Sequence, residues 1–294
     1  MNRQSTGEKL FDWGVHAALA LICVIVLYPL VFVLVASFSS PESVMRGEVW
    51  LWPKDITVVG YQKIFQNNEI LTGYANTIFY TVVGTTINLV MSIAAAYPLS
   101  RKDLYGRNFI SAMMVFTMFF SGGMVPTYLL VKNLGMLNSM WALIIPGAVS
   151  VYNILIMRTF FQNGIPSEMQ EAASIDGCSN LSTLVRIVLP LSMPIIAVMI
   201  LFYSVGHWNA YFSALIYLTD RDKYPLQLFL REILIQGQMQ EMLGVGDDSH
   251  ARSVMEGEAI KYAVVIVANL PVLLLYPFLQ KYFVKGVMIG AIKG

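Results

Sequence analysis

The sequence predicts an all-α integral membrane protein, and three observations carry that expectation. The 294-residue chain is 56% hydrophobic and only 13% charged, whereas about a quarter of the residues of a soluble domain are charged. Its mean hydropathy is +0.62. Six stretches lack Asp, Glu, Lys and Arg: 13–38, 71–100, 108–131, 133–157, 187–219 and 262–280. Each is near or above the ~20 apolar residues that a spanning helix needs.

The first stretch is too long for the apolar core of a signal peptide, and no clear small-residue cleavage site precedes the polar loop. It reads as a retained signal anchor, with residues 1–12 as a cytoplasmic N-terminus and 13–294 as one transmembrane domain. The second stretch ends at a loop carrying Arg101, Lys102 and Arg107. The third contains Ser121, Gly122, Gly123 and Met124, where the glycines can break the helix or allow close packing. Only Lys132 separates it from the fourth stretch. Because Lys and Arg concentrate in short cytoplasmic loops, this asymmetry places the Arg101 loop and both termini in the cytoplasm. Pro29, Pro126, Pro146, Pro190, Pro194, Pro271 and Pro277 interrupt the stretches, which membrane helices tolerate when neighbours satisfy the freed backbone groups.

Two long outer segments remain, 39–70 and 220–261. The second contains "PLQLFLREILIQGQM", in which Leu226, Phe229, Leu230, Ile233 and Leu234 recur at helical spacing. That pattern predicts an amphipathic helix on the membrane or on a partner. "LGVGDDSHARS" follows, with Asp247 and Asp248, and reads as a solvated connection.

Between the fourth and fifth stretches lies a polar elbow, 166–185, centred on "EAASIDGCSN". Pro166 suits a first helical turn, and Ser167 with Gln170 resembles a capping box. Glu168 and Glu171 lie near the positive end of the helix dipole. Gly177 fits the left-handed position that ends a helix, and Ser179 or Asn180 can cap a second one. Glu171, Ala172 and Ile175 lie close together on the first helix.

Several functions are excluded or disfavoured. Net charge is +1, so nothing biases the chain toward nucleic acid. Cys23 and Cys178 read as unpaired structural thiols. No G-x-x-x-x-G-K-[ST] occurs, so the chain binds no ATP through a P-loop. With neither H-E-x-x-H nor G-x-S-x-G, an intramembrane hydrolase has no machinery. An ion-coupled secondary sugar carrier is the competing class, but it would place ionisable residues within its spans. A passive channel or scaffold leaves the elbow without a purpose.

"EAASIDGCSNLSTLVRIVLP" resembles the EAA motif of permease subunits of bacterial ABC importers. "SVGHWNAYFSALIYL" and "NLPVLLLYPFLQKYFVKGVMIGAIKG" resemble the fifth-helix and C-terminal signatures of the maltose-permease-like carbohydrate branch. "FFSGGMVPTYLLVKNLGMLNSMWALIIPGAVSVYN" is similar to a subgroup that imports complex oligosaccharides with a lipoprotein or periplasmic binding protein. The resemblance implies the six-helix type I importer permease fold with a cytoplasmic coupling helix, in a bacterial cell membrane. It implies a second permease, favouring one different from this chain, and two ATPase subunits that bind the ATP and Mg while this chain binds no cofactor. It also implies a solute-binding protein outside and an oligosaccharide substrate. Glu171, Ala172, Ala173, Asp176 and Gly177 would then contact an ATPase, as would a tail around Lys285 and Gly286.

Polar and aromatic groups within spans face a bundle interior or a watery cavity. The expected pathway lining is therefore Trp208, Asn209 and Tyr211 on the fifth stretch, Tyr152 and Asn153 on the fourth, and Met124 on the third. His207 reads as a packing or structural hydrogen-bonding residue rather than a proton carrier.

Overall fold

The computed structural model describes residues 6–243, 257–258, 260–274 and 277. No strand occurs among them. The chain divides into two compact units, one built on Glu69–Phe229, the other on residues before Glu69 together with Leu230–Asn269.

The latter unit begins with α1 (Thr6–Ser37), 32 residues with Pro29 inside. At about 1.5 Å per residue this spans about 48 Å, more than a bilayer core. Its apolar side chains are exposed on every side from Leu10 to Leu30, the pattern of a helix made for lipid or for another protein. The predicted stretch started at Trp13, but the helix starts a full turn and more earlier. After α1 the chain folds back on itself in a loop. The amide of Thr57 donates to the Phe38 carbonyl, 2.9 Å, and Ser43 Oγ donates to Asp55 Oδ2, 2.8 Å. The short helices α2 (Pro41–Met45) and α3 (Val59–Gln66) sit in this loop. The shorter apolar helix Ile260–Leu274 contributes Tyr262, edge-on to Phe32 at 5.9 Å.

The larger unit is organised by α4 (Asn68–Ser100). Thr77, Thr81, Thr85, Asn88 and Ser92 fall at helical spacing along one face, and all are buried. Most of them bond across to other elements. Lower down, Ala96, Tyr97 and Leu99 join Ile154, Met157, Phe161, Val188, Met199 and Tyr203 in the main apolar core. This core fastens α4 to α8 (Val151–Gly164) and α12 (Met193–Trp208).

The third predicted stretch is broken. Helices α5 (Arg107–Phe119) and α6 (Met124–Asn133) meet at a 109° bend. Gly123 adopts φ +86, ψ 175, a conformation open essentially only to glycine, so the glycines act as helix breakers. The fourth stretch is also discontinuous. The one-turn α7 (Trp141–Ile144) is followed by a turn at Pro146 and Gly147, and α8 starts only at Val151, capped by the Ser150 hydroxyl. The fifth bends by 83° between the Asn180–Leu191 segment and α12. By length and apolarity α1 and α4 can each cross a membrane alone, and the two bent pairs can do so as broken spans.

The expected amphipathic helix exists as α14 (Leu226–Leu243). Its first turn packs within the chain itself, with Leu226, Leu228, Phe229 and Leu230 buried. The reason is local. Gly73 of α4 has no side chain where the Phe229 ring packs, and a Cβ there would come within 2.7 Å of it. The Leu226 amide, unpaired at a helix start, donates to Thr77 Oγ1, 2.8 Å.

Candidate coupling elbow and pathway residues

The elbow forms two short helices around a glycine turn. The first, α9, covers Ser167–Ile175. Its N-terminus corrects the expected capping box: Pro166 occupies the cap position, and no side-chain bond closes it. Its C-terminus follows expectation in detail. Gly177 has φ +75. Its amide donates to the Ser174 carbonyl, 3.1 Å, and the Cys178 amide to the Ala173 carbonyl, 2.9 Å. These are the two bonds of a Schellman turn, and they satisfy carbonyls that a helix end leaves open. Ser179 then caps α10 (Asn180–Thr183), accepting from the Ser182 amide at 3.3 Å. A π-helical turn, Leu184–Val188, carries the chain through α11 (Leu189–Leu191) toward α12.

Glu171, Ala172, Asp176 and Gly177 are exposed, and Ile175 is 86% exposed, a large apolar side chain standing in the open. Ala173 is a correction to the expected contact set. It is only 4% exposed and faces the body of the chain, so it seats the helix rather than presenting itself. Beside the elbow a pocket of about 450 Å³ lies between the Arg101 loop and α10, lined by Tyr97, Arg101, Leu104, Asn180 and Leu181. Arg101 forks onto Asp103, Nε–Oδ1 2.9 Å and Nη2–Oδ2 3.0 Å. That bond holds the Asp103 carboxyl below its ordinary range and raises the Arg101 guanidinium. The loop is thereby kept in one shape next to the elbow.

The pathway candidates stand in different surroundings. Trp208 is 4% exposed and packs edge-on to Tyr74 at 5.7 Å, so in this chain it is a packing residue. Asn209 is exposed, with Nδ2 donating to the Val205 carbonyl, 2.9 Å, and Oδ1 accepting from Gln227, 3.4 Å. Tyr211 and Tyr152 are exposed, and Asn153 is buried just inside the start of α8. Met124 borders an open pocket of about 290 Å³ with Ser121, Thr127, Phe212 and Ser213. Lys285 and Gly286, and Asp247 and Asp248 in the segment 220–261, lie outside the described residues.

Sequence reasoning missed the buried polar seam. Asn88 Nδ2 donates to the Gly147 carbonyl, 2.6 Å, and its Oδ1 meets His207 Nε2, 2.6 Å. Ser92 bonds Tyr203, 2.6 Å, and Thr85 bonds Ser204, 3.3 Å. The signal was available as small polar residues recurring every three or four positions between Thr77 and Ser92. His207 has the structural hydrogen bond expected of it.

Residues 70–289 match the family described as the binding-protein-dependent transport system inner membrane component. The chain belongs to this family and is therefore a membrane component of a binding-protein-dependent transport system. It is 44% identical over 292 residues to the polygalacturonan/rhamnogalacturonan transport system permease protein YtcP of Bacillus subtilis (strain 168), covering 98% of this chain and 99% of that one. It is 26% identical to the arabinooligosaccharides transport system permease protein AraQ of Halalkalibacterium halodurans, covering 98% of each. A chain from the crystal structure of a bacterial ABC transporter involved in the import of the acidic polysaccharide alginate superposes with a TM-score of 0.86 at 31% identity. It covers 96% of this chain and 100% of that one. Membership of this family decides against the ion-coupled carrier and the passive channel.

Proposed function

We propose that this chain is one of two permease subunits of an ATP-driven importer of oligosaccharides, and that uronate-rich oligosaccharides are its substrate class. The elbow carries this reading: a short helix ends in a Schellman turn at Gly177 and leaves Glu171, Ala172 and Ile175 exposed together. A short rigid helix with an exposed carboxylate and an exposed apolar side chain suits docking in a cleft of an ATPase, because it transmits displacement with little loss to loop motion. The ATPases would hold the ATP and Mg, and a binding protein would deliver the sugar from outside. The elbow and both termini would face the cytoplasm, with six spans between them. The tail around Lys285 and Gly286 would reach the same ATPase interface. The uronate assignment is supported by the similarity to a polygalacturonan/rhamnogalacturonan permease and to a transporter involved in alginate import.

The test is reconstitution in nanodiscs with the partner permease, ATPases and binding protein. Oligogalacturonides are expected to stimulate ATP hydrolysis through the binding protein and to be taken up. Assembly and sugar-stimulated hydrolysis without any contribution from the elbow would overturn the coupling role. Stimulation by neutral oligosaccharides alone would overturn the substrate class.

A further inference from the structure

The fourth apolar stretch breaks at Pro146–Gly147, and a break in an apolar segment leaves backbone groups that must be satisfied by side chains. The Gly147 carbonyl accepts from Asn88 Nδ2, 2.6 Å. A carbonyl can only accept, so this bond fixes which end of the Asn88 amide faces it. Asn88 Oδ1 therefore faces His207 Nε2, 2.6 Å away, and Nε2 must carry the proton. The relay runs from α12 through α4 to the broken segment. Room for it is made by Gly84, one turn before Asn88, where a Cβ would stand 2.5 Å from the His207 ring. Two side chains 119 residues apart in sequence are thus linked in series to one backbone carbonyl.

We propose that Asn88 and His207 form a pin that sets the conformation of the break, and through it the position of Tyr152 and Asn153 at the start of α8. They are positioning residues for the pathway. The pin itself is independent of the substrate class; only its link to transport rests on the function proposed above.

The test uses the complete transporter in nanodiscs with both native cysteines replaced by Ser and a reporter cysteine at Val149, an exposed position just after the break. A membrane-impermeant thiol reagent measures its reactivity. Asn88→Ala and His207→Ala are expected to change the labelling rate about tenfold, the scale of losing one partner of a part-buried hydrogen bond. Gly84→Ala should reproduce His207→Ala by displacing the ring. His207→Gln, whose amide can donate where the imidazole N–H did, should restore the wild-type rate. Equal labelling in all variants, even with a lowered Tm, would overturn the pin. For transport, the alanine variants are expected to shift the apparent KM for trigalacturonate uptake more than the maximal rate, with Gln again restoring it. An unchanged KM would limit the pin to the break and sink its positioning role. Absence of trigalacturonate uptake in the unmutated transporter would instead remove the substrate class, while the labelling result still decides the pin.

Discussion

Arg221 forks onto both carboxylate oxygens of Glu69, 2.8 and 3.1 Å away, across 152 residues of sequence. Its guanidinium also lies over the rings of Tyr224 and Phe229, 5.8 and 5.4 Å from their centroids. The segment between α13 (Phe212–Tyr217) and α14 is thus tied to the start of α4. Asn76 Nδ2 donates to the Asp222 carbonyl, 2.7 Å, and Tyr80 OH to the Lys223 carbonyl, 2.8 Å. Both ion-pair partners are about half exposed, so the charge term itself is worth less than about 1 kcal/mol. Arg221→Ala is expected to lower Tm more than Glu69→Gln, because it also removes the ring contacts. Thermal unfolding of the two variants in detergent checks this.

The same pair has a pH signature. The Arg221 hydrogen bond holds the Glu69 carboxyl below its usual range. Its contribution is fully present above the unfolded carboxylate pKa, ~4.3, and is lost as pH falls through the lower folded value. The Tm difference between wild type and Glu69→Gln is therefore expected to hold at neutral pH and to shrink below about pH 4. A constant difference down to acid pH would contradict it.

Asn138 is a second fastening. It has φ +56, its Oδ1 accepts from the Thr219 and Asp220 amides at 3.2 and 3.1 Å, and its Nδ2 donates to Asp220 Oδ2 at 2.8 Å. Asn138→Gly removes the side-chain bonds but keeps the backbone at ease. Asn138→Ala removes them and adds about 1–2 kcal/mol of left-handed strain. Alanine should therefore destabilise more than glycine, the reverse of the order in a helix, as thermal unfolding of both variants will show.

At the elbow, Gly177→Ala should cost about 1–2 kcal/mol through left-handed strain. Gly177→Pro cannot reach φ +75 and deletes the amide that donates to Ser174, so it is expected to abolish coupling while the chain still inserts. Glu171→Lys, on an exposed surface, should leave Tm unchanged and lose ATPase docking. Co-purification and binding-protein-stimulated ATPase activity distinguish these outcomes; normal coupling in both the Pro and Lys variants would remove the elbow from the mechanism.

Trp208→Ala should act through packing. Deleting a buried indole typically costs about 3–5 kcal/mol, so altered transport would arrive together with a lowered Tm. Asn209→Ala, at the exposed neighbouring position, should change uptake without a comparable fall in Tm if that residue lines the pathway. Uptake measured beside Tm for both variants separates packing from lining.

What the sequence determined by itself was whatever depends on composition or on a few adjacent residues. Long uncharged stretches announced the membrane class. Gly177 announced the helix end because a left-handed turn has one strongly preferred residue, and the EAA pattern announced the family. Tertiary structure alone decided the rest. The inward turn of Ala173 and Trp208 and the burial of α14's first turn depend on what packs opposite. Asn88, His207 and Gly147 meet only because α4, α8 and α12 share one core, and Arg221 finds Glu69 only because the chain returns after 152 residues. A cap or a turn is chosen over about one helical turn of sequence, whereas a buried polar group takes whichever partner the packing delivers.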